Sequence, residues 1–183
     1  MTAAASVAGR ERPRLFCALR LPQPALDALS SWQAAHIRAG RPVPRDQLHA
    51  TLAFLGPRPV AELPSILEAL REAAGAAGPI RLLPERYRET RSVGMLVLSD
   101  LEGTATRLAE DLFGRLERLG VYQREERAWL PHVTLVRFRE RPRLEPPLPE
   151  LGEVSPSDAA VYHSVLRSTG AQYFVVESFA LGG

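Results

Sequence analysis

Hydrophobic residues recur along the chain in alternating blocks of strand-like and helix-like spacing. Short apolar runs bounded by Gly and Pro predict strands, and apolar residues three or four positions apart predict amphipathic helices. In chain order these patterns predict strands at 14–21, 48–55, 80–83, 95–98 and 130–138, helices at about 24–37, 61–74 and 99–119, and a terminal β-hairpin made of 159–166 and 172–179.

The predicted third helix has the clearest pattern. Ser99-Asp100-Leu101-Glu102 matches a capping box, in which side chains of the first turn bond free backbone N–H groups. Gly40 and Gly120 are expected to end the first and third helices, because glycine is common just after a helix. The apolar stripe of the third helix consists of Leu101, Ala105, Leu108, Leu112, Leu116 and Leu119.

The order of these elements predicts an α+β protein with antiparallel strand pairing at its end. Residues 1–13 are small or polar with no periodicity, so we expect a disordered tail there and a single domain over 14–183. The two strands that carry candidate chemistry lie in different halves of the chain, which suggests two lobes around a cleft.

Composition narrows the class of protein. The chain has 183 residues, of which 45% are hydrophobic and 24% charged, as in ordinary globular proteins. No apolar run reaches the roughly 18 residues of a membrane helix, and the N-terminus lacks a secretory signal, so we expect a cytoplasmic protein with no membrane partner. The single cysteine, Cys17, excludes a disulfide framework. All 23 basic residues are arginine, but a net charge of +2 is too small to indicate a nucleic-acid partner by itself.

Two of the four histidines occur in the same short pattern. His49-Ala50-Thr51-Leu52 and His132-Val133-Thr134-Leu135 begin 83 residues apart. From the 7 threonines and 27 leucines of the chain, chance recurrence of His-x-Thr-Leu at two of four histidines is on the order of 2 in 10,000. The repeat therefore indicates function rather than coincidence.

Each motif lies in a predicted strand, where successive side chains point to opposite faces. His49 and Thr51 therefore share one face, and the apolar residues of this strand, including Phe54, are expected to face the core. His132 and Thr134 share a face in the same way. Each strand is thus expected to present an imidazole beside a hydroxyl, backed by an apolar surface.

These residue types suit phosphodiester chemistry without a metal. Histidine titrates near neutral pH, so two imidazoles in one cleft can act as general base and general acid. Threonine hydroxyls can donate to phosphate oxygens while arginine balances the phosphate charge. A metal site would need a third ligand nearby in sequence or a carboxylate on the same face, and neither motif has one. The other histidines, His36 and His163, are expected to be structural.

The two motifs resemble those of the two-histidine (2H) phosphoesterases. The opening segment Arg14–Leu19, the Pro131-His132 context and the closing segment Tyr162–Leu166 are also similar to this superfamily, and the similarity covers about residues 14–181. The branch that the sequence resembles most is the RNA 2′,3′-cyclic phosphodiesterases, also called 2′-5′ RNA ligases.

This resemblance implies a bilobal α+β fold in which two antiparallel sheets flank a central cleft, with helices on the outside. It implies that His132 is the base that activates water and that His49 is the acid that protonates the leaving 3′ oxygen. It implies that Thr51 and Thr134 hold the phosphate and that no metal or other cofactor is needed. The implied substrate is an RNA end or nucleotide that bears a 2′,3′-cyclic phosphate, the implied product is a 2′-phosphomonoester, and reversible 2′-5′ ligation is compatible with the family. We expect a monomer.

Base and backbone contacts are less clearly indicated. An arginine shortly after the second motif contacts phosphate in the family, and Arg137 occupies that position, but strict alternation places it on the face opposite His132, so this role requires a bulge or the end of the strand. Relatives often carry an aromatic residue where this chain has 94–97, which leaves Phe16 and Tyr162 as stacking candidates, although both fit the core. Alternate residues after the second motif are arginine, and they form either a basic stripe along RNA or a solvated edge: Arg137, Arg139, Arg141 and Arg143.

Two alternatives remain open at this point. A related phosphodiesterase with the same four residues would act on a small cyclic nucleotide or a 2′-5′ linked oligonucleotide. A noncatalytic protein would only bind RNA ends. The intact histidine and threonine in both motifs favour an enzyme, because binding alone needs arginine rather than titrating imidazoles.

Overall fold

The computed structural model describes residues 11–182, which form three α-helices, two 3-10 turns and eight strands. The 3-10 turns lie at Arg45–Gln47 and Val60–Glu62. In chain order the other elements are β1 (Arg14–Arg20), α1 (Gln23–His36), β2 (Arg41–Pro42), β3 (His49–Pro57), α2 (Leu63–Ala76), β4 (Leu82–Glu89), β5 (Val93–Asp100), α3 (Thr104–Arg118), β6 (His132–Arg137), β7 (Asp158–Arg167) and β8 (Gly170–Ala180).

All eight strands join one antiparallel sheet with the order β4-β5-β6-β3-β1-β7-β8, and β2 pairs with the end of β6. The predicted α+β class and the antiparallel pairing are therefore confirmed. The predicted terminal hairpin is also confirmed, because β7 and β8 pair along their length around a turn at Ser168 and Thr169.

The sheet is narrowest between β3 and β6, which pair at one position only, Ala50 with Val133. Backbone groups beside this pair form hydrogen bonds with other parts of the chain and not with the facing strand. The carbonyl of Thr51 accepts a 3.0 Å hydrogen bond from the indole N–H of Trp129, and the carbonyl of Leu135 accepts one from the connection that follows β2. The two strands therefore diverge on either side of the pair. The two sheets implied by the resemblance are the halves of one sheet, and they flank a cleft at this junction.

One main core lies between the sheet and all three helices. The buried helix residues recur every three or four positions, which places them on one face of each helix. The opposite face of the sheet carries a small separate cluster of Phe16, Ala18, Ala160 and Tyr162. The helices thus cover one face of the sheet and leave the cleft on the other. The helix residues in the core include Leu26, Leu29, Trp32, Ile66, Leu70, Ala73, Leu108, Leu112 and Leu116.

The third helix begins later than predicted. Ser99 and Asp100 belong to β5 and the helix starts at Thr104, so the predicted capping box is wrong. Asp100 still satisfies the start of the helix, because its Oδ2 accepts 2.8 Å hydrogen bonds from the backbone N–H and the hydroxyl of Thr106. Two residues predicted at the ends of the buried stripe are exposed instead: Leu101 and Leu119.

Gly40 does not end α1, because the helix ends at His36 and Ile37 is its C-cap. Gly40 has a φ of +83°, and a Cβ at this position would lie 2.8 Å from the carbonyl oxygen of Arg137. A glycine here therefore allows the connection between α1 and β2 to lie against the end of β6.

Residues 1–10 of the predicted tail lie outside the described part of the chain. The rest of the predicted tail, residues 11–13, belongs to the fold. The carbonyls of Glu11 and Pro13 accept 3.0 Å hydrogen bonds from the N–H groups of Val60 and Arg58. Between residues 11 and 182, none of the helices is long and apolar enough to span a membrane.

Candidate active site

Strands β3 and β6 place the two motifs side by side. His49 is the first residue of β3 and His132 is the first residue of β6. Because these antiparallel strands pair through Ala50 and Val133, the histidine of each motif lies next to the threonine of the other. The middle residues are buried in the core, while both histidines and both threonines are half-buried on the opposite face. The structure thus brings together four of the five candidate residues around an approximate two-fold axis.

Both imidazoles are oriented in the same way. Nδ1 of His49 lies 2.7 Å from the carbonyl oxygen of Gln47, and Nδ1 of His132 lies 2.8 Å from that of Leu130. A carbonyl oxygen only accepts hydrogen bonds, so Nδ1 carries the proton of each neutral ring and Nε2 is left to exchange a proton in the cleft. In both motifs the acceptor lies two residues before the histidine. The backbone that enters each strand therefore sets the tautomer.

The hydroxyl of Thr51 lies beside the reactive nitrogen of His49, with 3.1 Å between Oγ1 and Nε2. When the ring is neutral, Nε2 accepts and the hydroxyl donates. The bond from Trp129 to the backbone carbonyl of Thr51 fixes this residue where β3 and β6 diverge. Trp129 was not predicted as a site residue, because its contribution depends on tertiary placement and not on a motif.

The environment of His49 disfavours its charged form. Burial lowers its pKa to about 4, from an ordinary value of 6.5, and the positive charges of Arg137 and His132 act in the same direction. The hydrogen bond to the Gln47 carbonyl partly opposes this shift. In the ligand-free protein His49 is therefore neutral at pH 7.

We expect the His49 imidazole to titrate at about 4 in the ligand-free protein and at a higher pH when inorganic phosphate is bound. A bound anion offsets the positive charges of Arg137 and His132, so the protonated ring becomes less unfavourable. The measurement is an NMR titration of the histidine resonances with and without phosphate, with a His49→Gln variant to assign the signal. A pKa that phosphate leaves unchanged would place the anion away from His49.

A β-bulge follows the threonine in each motif. Along β3, Thr51 pairs with Ala18 and Ala53 pairs with Cys17, so Leu52 has no partner on β1. Leu135, the leucine of the second motif, is skipped in the same way in the pairing of β6 with β5. A bulge reverses the alternation of side chains beyond it. Residues five positions after each histidine are therefore moved to the cleft face.

The phosphate contact expected of Arg137 requires that its side chain lie on the same face as His132, and the bulge at Leu135 allows this. Arg137 is exposed at the end of β6, on the cleft side, and its Nη2 donates a 3.4 Å hydrogen bond to the Tyr173 hydroxyl on β8. Its charge also lowers the pKa of His49. The structure thus places the fifth candidate residue with the other four.

Phe54 follows His49 by five residues, as Arg137 follows His132. The expectation that Phe54 faces the core is wrong, because the bulge at Leu52 turns it to the cleft face, where it is 67% exposed. Its ring centroid lies 5.9 Å from that of Phe16, which in turn lies 5.0 Å from the His49 ring. Two consecutive apolar residues after the threonine, Leu52-Ala53 and Leu135-Val136, are the sequence signal that would have indicated it.

The other candidates take structural positions. Phe16 and Tyr162 stack on each other at 4.9 Å behind His49 and are only 2% and 8% exposed, so neither offers a free ring face to a base. His163 is fully buried on β7. Of the four arginines considered as a basic stripe along RNA or a solvated edge, Arg141 is paired with Glu89. Within residues 11–182, no group of three or more His, Cys, Asp or Glu side chains is arranged to hold a metal ion.

A family model described as the 2′-5′ RNA ligase superfamily matches residues 21–171. The chain is 34% identical over 181 residues to an RNA 2′,3′-cyclic phosphodiesterase of Thermus thermophilus, covering 93% of this chain and 91% of that protein. It is 30% identical over 174 residues to the Escherichia coli protein of the same name, covering 93% and 98%.

Solved structures agree with these sequence relationships. The apo crystal structure of E. coli LigT superposes with a TM-score of 0.79 at 25% identity, covering 94% of this chain and 99% of that one. E. coli LigT complexed with 3′-AMP gives a TM-score of 0.81 at 25% identity, covering 94% and 100%. The family match extends over more than half of the chain, and both phosphodiesterase relatives are at least 30% identical over nearly their full length. The chain is therefore an enzyme of the 2′-5′ RNA ligase superfamily.

Proposed function

We propose that this enzyme hydrolyses the terminal 2′,3′-cyclic phosphate of RNA to a 2′-phosphomonoester by metal-independent acid–base catalysis. The observation that carries the proposal is the pair of His-x-Thr motifs on adjoining strands, with both imidazoles directing Nε2 into one cleft. The names of the curated relatives support the same substrate.

In this mechanism His132 takes a proton from water through Nε2 while the water oxygen attacks phosphorus. The bond between phosphorus and O3′ breaks, and protonated His49 gives its proton to O3′. The phosphate therefore remains on O2′. Thr51 and Thr134 donate hydrogen bonds to the nonbridging oxygens, and Arg137 offsets their negative charge. The division between base and acid follows the resemblance to the family.

The acid role requires a charged His49, although its pKa is lowered to about 4 in the ligand-free protein. The bound cyclic phosphate supplies the missing anion next to this ring. Its negative charge offsets Arg137 and His132 and raises the pKa of His49 toward the range in which it can donate a proton. The bound cyclic phosphate is therefore proposed to keep His49 protonated, so that this ring can donate its proton to O3′.

The direct test incubates the purified protein with a short RNA that ends in a 2′,3′-cyclic phosphate, with and without EDTA. We expect equal rates in both conditions and a product whose terminal phosphate is on O2′, because His49 makes O3′ the leaving group. A reaction that EDTA abolishes and a divalent metal restores would contradict the two-imidazole mechanism. A 3′-phosphate product would contradict the proposed direction of cleavage.

Alanine at Thr51 or Thr134 should lower kcat/KM less than loss of either histidine. Each hydroxyl supplies one hydrogen bond to a charged oxygen, which contributes on the order of 1.5 to 3 kcal/mol, or about 10- to 150-fold in rate. Steady-state kinetics on the cyclic-phosphate RNA measure both losses, with Thr106→Ala on α3 as the control, because its hydroxyl bonds Asp100 away from the cleft. Wild-type turnover in both site variants would remove the threonines from the phosphate site.

The same residues can run the ligation for which the superfamily is named. If a 5′-hydroxyl replaces water as the nucleophile, attack on the cyclic phosphate with departure of O3′ gives a 2′-5′ linkage. Activity on small cyclic nucleotides or 2′-5′ oligonucleotides would use the same four residues, so a comparison of substrates decides between them. A noncatalytic binding role predicts no turnover of any of these compounds.

A further inference from the structure

A pocket of about 230 Å³ adjoins the two-histidine cleft on the side of the β7–β8 hairpin. One wall is formed by Arg41–Pro44, Gln47 and Arg137, and the other by residues 169–173. Gln47 and Arg137 connect the pocket to the cleft, because the Gln47 carbonyl orients His49 and the Arg137 charge acts on it. Pockets for drug-sized ligands have volumes of roughly 300–1,000 Å³, so this one suits a single phosphate with part of a sugar.

Two arginines lie side by side at this pocket. Arg41 of β2 pairs directly with Arg137 of β6, and like charges at directly opposed positions destabilise a sheet. Neither has a carboxylate partner in the described part of the chain. Arg41 Nη1 donates to the carbonyl oxygen of Thr169 at 2.6 Å, and Arg137 Nη2 donates to the Tyr173 hydroxyl. An anion between the two guanidinium groups would relieve their repulsion.

Other arginines of the fold do form ion pairs with carboxylates. Arg45, four residues after Arg41, has its Nε 2.6 Å from Oδ1 of Asp27 on α1. Arg81 is paired with both Glu102 and Glu153. Arg41 and Arg137 instead lie beside each other with only neutral partners among the described residues, a backbone carbonyl and a hydroxyl, which leaves both charges available to an anion.

The hairpin turn is shaped around the guanidinium of Arg41. Gly170 has a φ of +122°, and a Cβ there would lie 2.6 Å from Nη1 of Arg41. Any larger residue would displace this group from its bond to the Thr169 carbonyl. The turn thus keeps the Arg41 charge at the pocket, beside Arg137.

We propose that this pocket binds the phosphodiester that precedes the terminal nucleotide of the RNA, with Arg41 and Arg137 as its cationic partners. This inference rests on the proposed function, which places the cyclic phosphate between His49 and His132. The next anion along the strand is then the 5′-phosphate, one ribose away, and Arg137 lies between the two positions. The pocket therefore selects oligonucleotide ends over nucleoside cyclic phosphates, which have no 5′-phosphate.

The test compares the wild type with Arg41→Gln on three substrates. These are a nucleoside 2′,3′-cyclic phosphate, a dinucleotide ending in 2′,3′-cyclic phosphate, and the same dinucleotide with a neutral methylphosphonate linkage. We expect Arg41→Gln to lower kcat/KM on the charged dinucleotide about 10-fold more than on the other two, because one charge-assisted hydrogen bond is lost. The matched control, Arg45→Gln, removes an equal charge from the same connection and should affect all three substrates alike.

The outcomes separate this inference from the proposed function. An equal effect of Arg41→Gln on all three substrates would overturn the subsite. The wild type could also prefer the dinucleotide over the nucleoside cyclic phosphate when the linkage is neutral. This result would show that the pocket binds base or ribose, and it would also overturn the subsite. Failure of the wild type to hydrolyse any of the substrates would overturn the proposed function, and the subsite with it.

Discussion

Alanine at either His49 or His132 is expected to lower kcat/KM on an RNA 2′,3′-cyclic phosphate by about 10²- to 10⁴-fold, the usual contribution of one general acid or base. Both Nε2 atoms face the cleft, and each is kept in its tautomer by a backbone carbonyl. Because the two histidines act in one step, the double variant should lose less than the product of the single losses.

Steady-state kinetics with the cyclic-phosphate RNA measure this loss. His36→Ala is the matched control, since this histidine is on α1, where its ring lies 5.6 Å from that of Trp32. It should retain nearly wild-type turnover. Wild-type turnover in His49→Ala or His132→Ala, with an unchanged circular dichroism spectrum, would remove that residue from the mechanism.

The second large effect is expected on stability, at Glu89. Its side chain is only 2% exposed at the end of β4, and it accepts hydrogen bonds from the Tyr87 hydroxyl, Arg141 Nε and the backbone N–H groups of Arg143 and Leu144. Glu89→Ala leaves several of these donors without an acceptor inside the fold. We therefore expect a loss of about 3 kcal/mol in the free energy of unfolding.

Urea unfolding of the wild type and Glu89→Ala measures this difference. Glu85→Ala is the control on the same strand, because its exposed carboxylate pairs with exposed Arg86 and should contribute about 0–1 kcal/mol. A loss below about 1 kcal/mol at Glu89 would mean that the connection after β6 finds other partners.

The parts of the fold that local periodicity determines could be predicted. The helix faces and the terminal hairpin are correct because each depends on residues close in sequence. β2 was not predicted, since its two residues become a strand only by pairing with β6. β4 extends well past the predicted 80–83, through charged residues of an edge strand that carry no apolar pattern.

In the candidate site, too, residues marked by a local motif could be predicted, and residues placed by strand pairing could not. The two histidines and two threonines could be identified because a repeated motif marks them, and their shared face follows from strand geometry. The exposure of Phe54 could not be derived from alternation, because a bulge is set by pairing with a neighbouring strand. Arg41 belongs to no motif. It meets Arg137 only because β2 pairs with β6.

The central claim is that two imidazoles divide the work, with His132 as base and His49 as acid. It is tested most directly by kcat/KM of His49→Ala and His132→Ala on the RNA cyclic phosphate and on a phosphodiester with a nitrophenolate leaving group. Nitrophenolate departs without a proton, so the loss in His49→Ala should largely disappear on that substrate. The loss in His132→Ala should remain, because water still needs a base. Recovery of His132→Ala in place of His49→Ala would contradict the assignment and reverse the two roles.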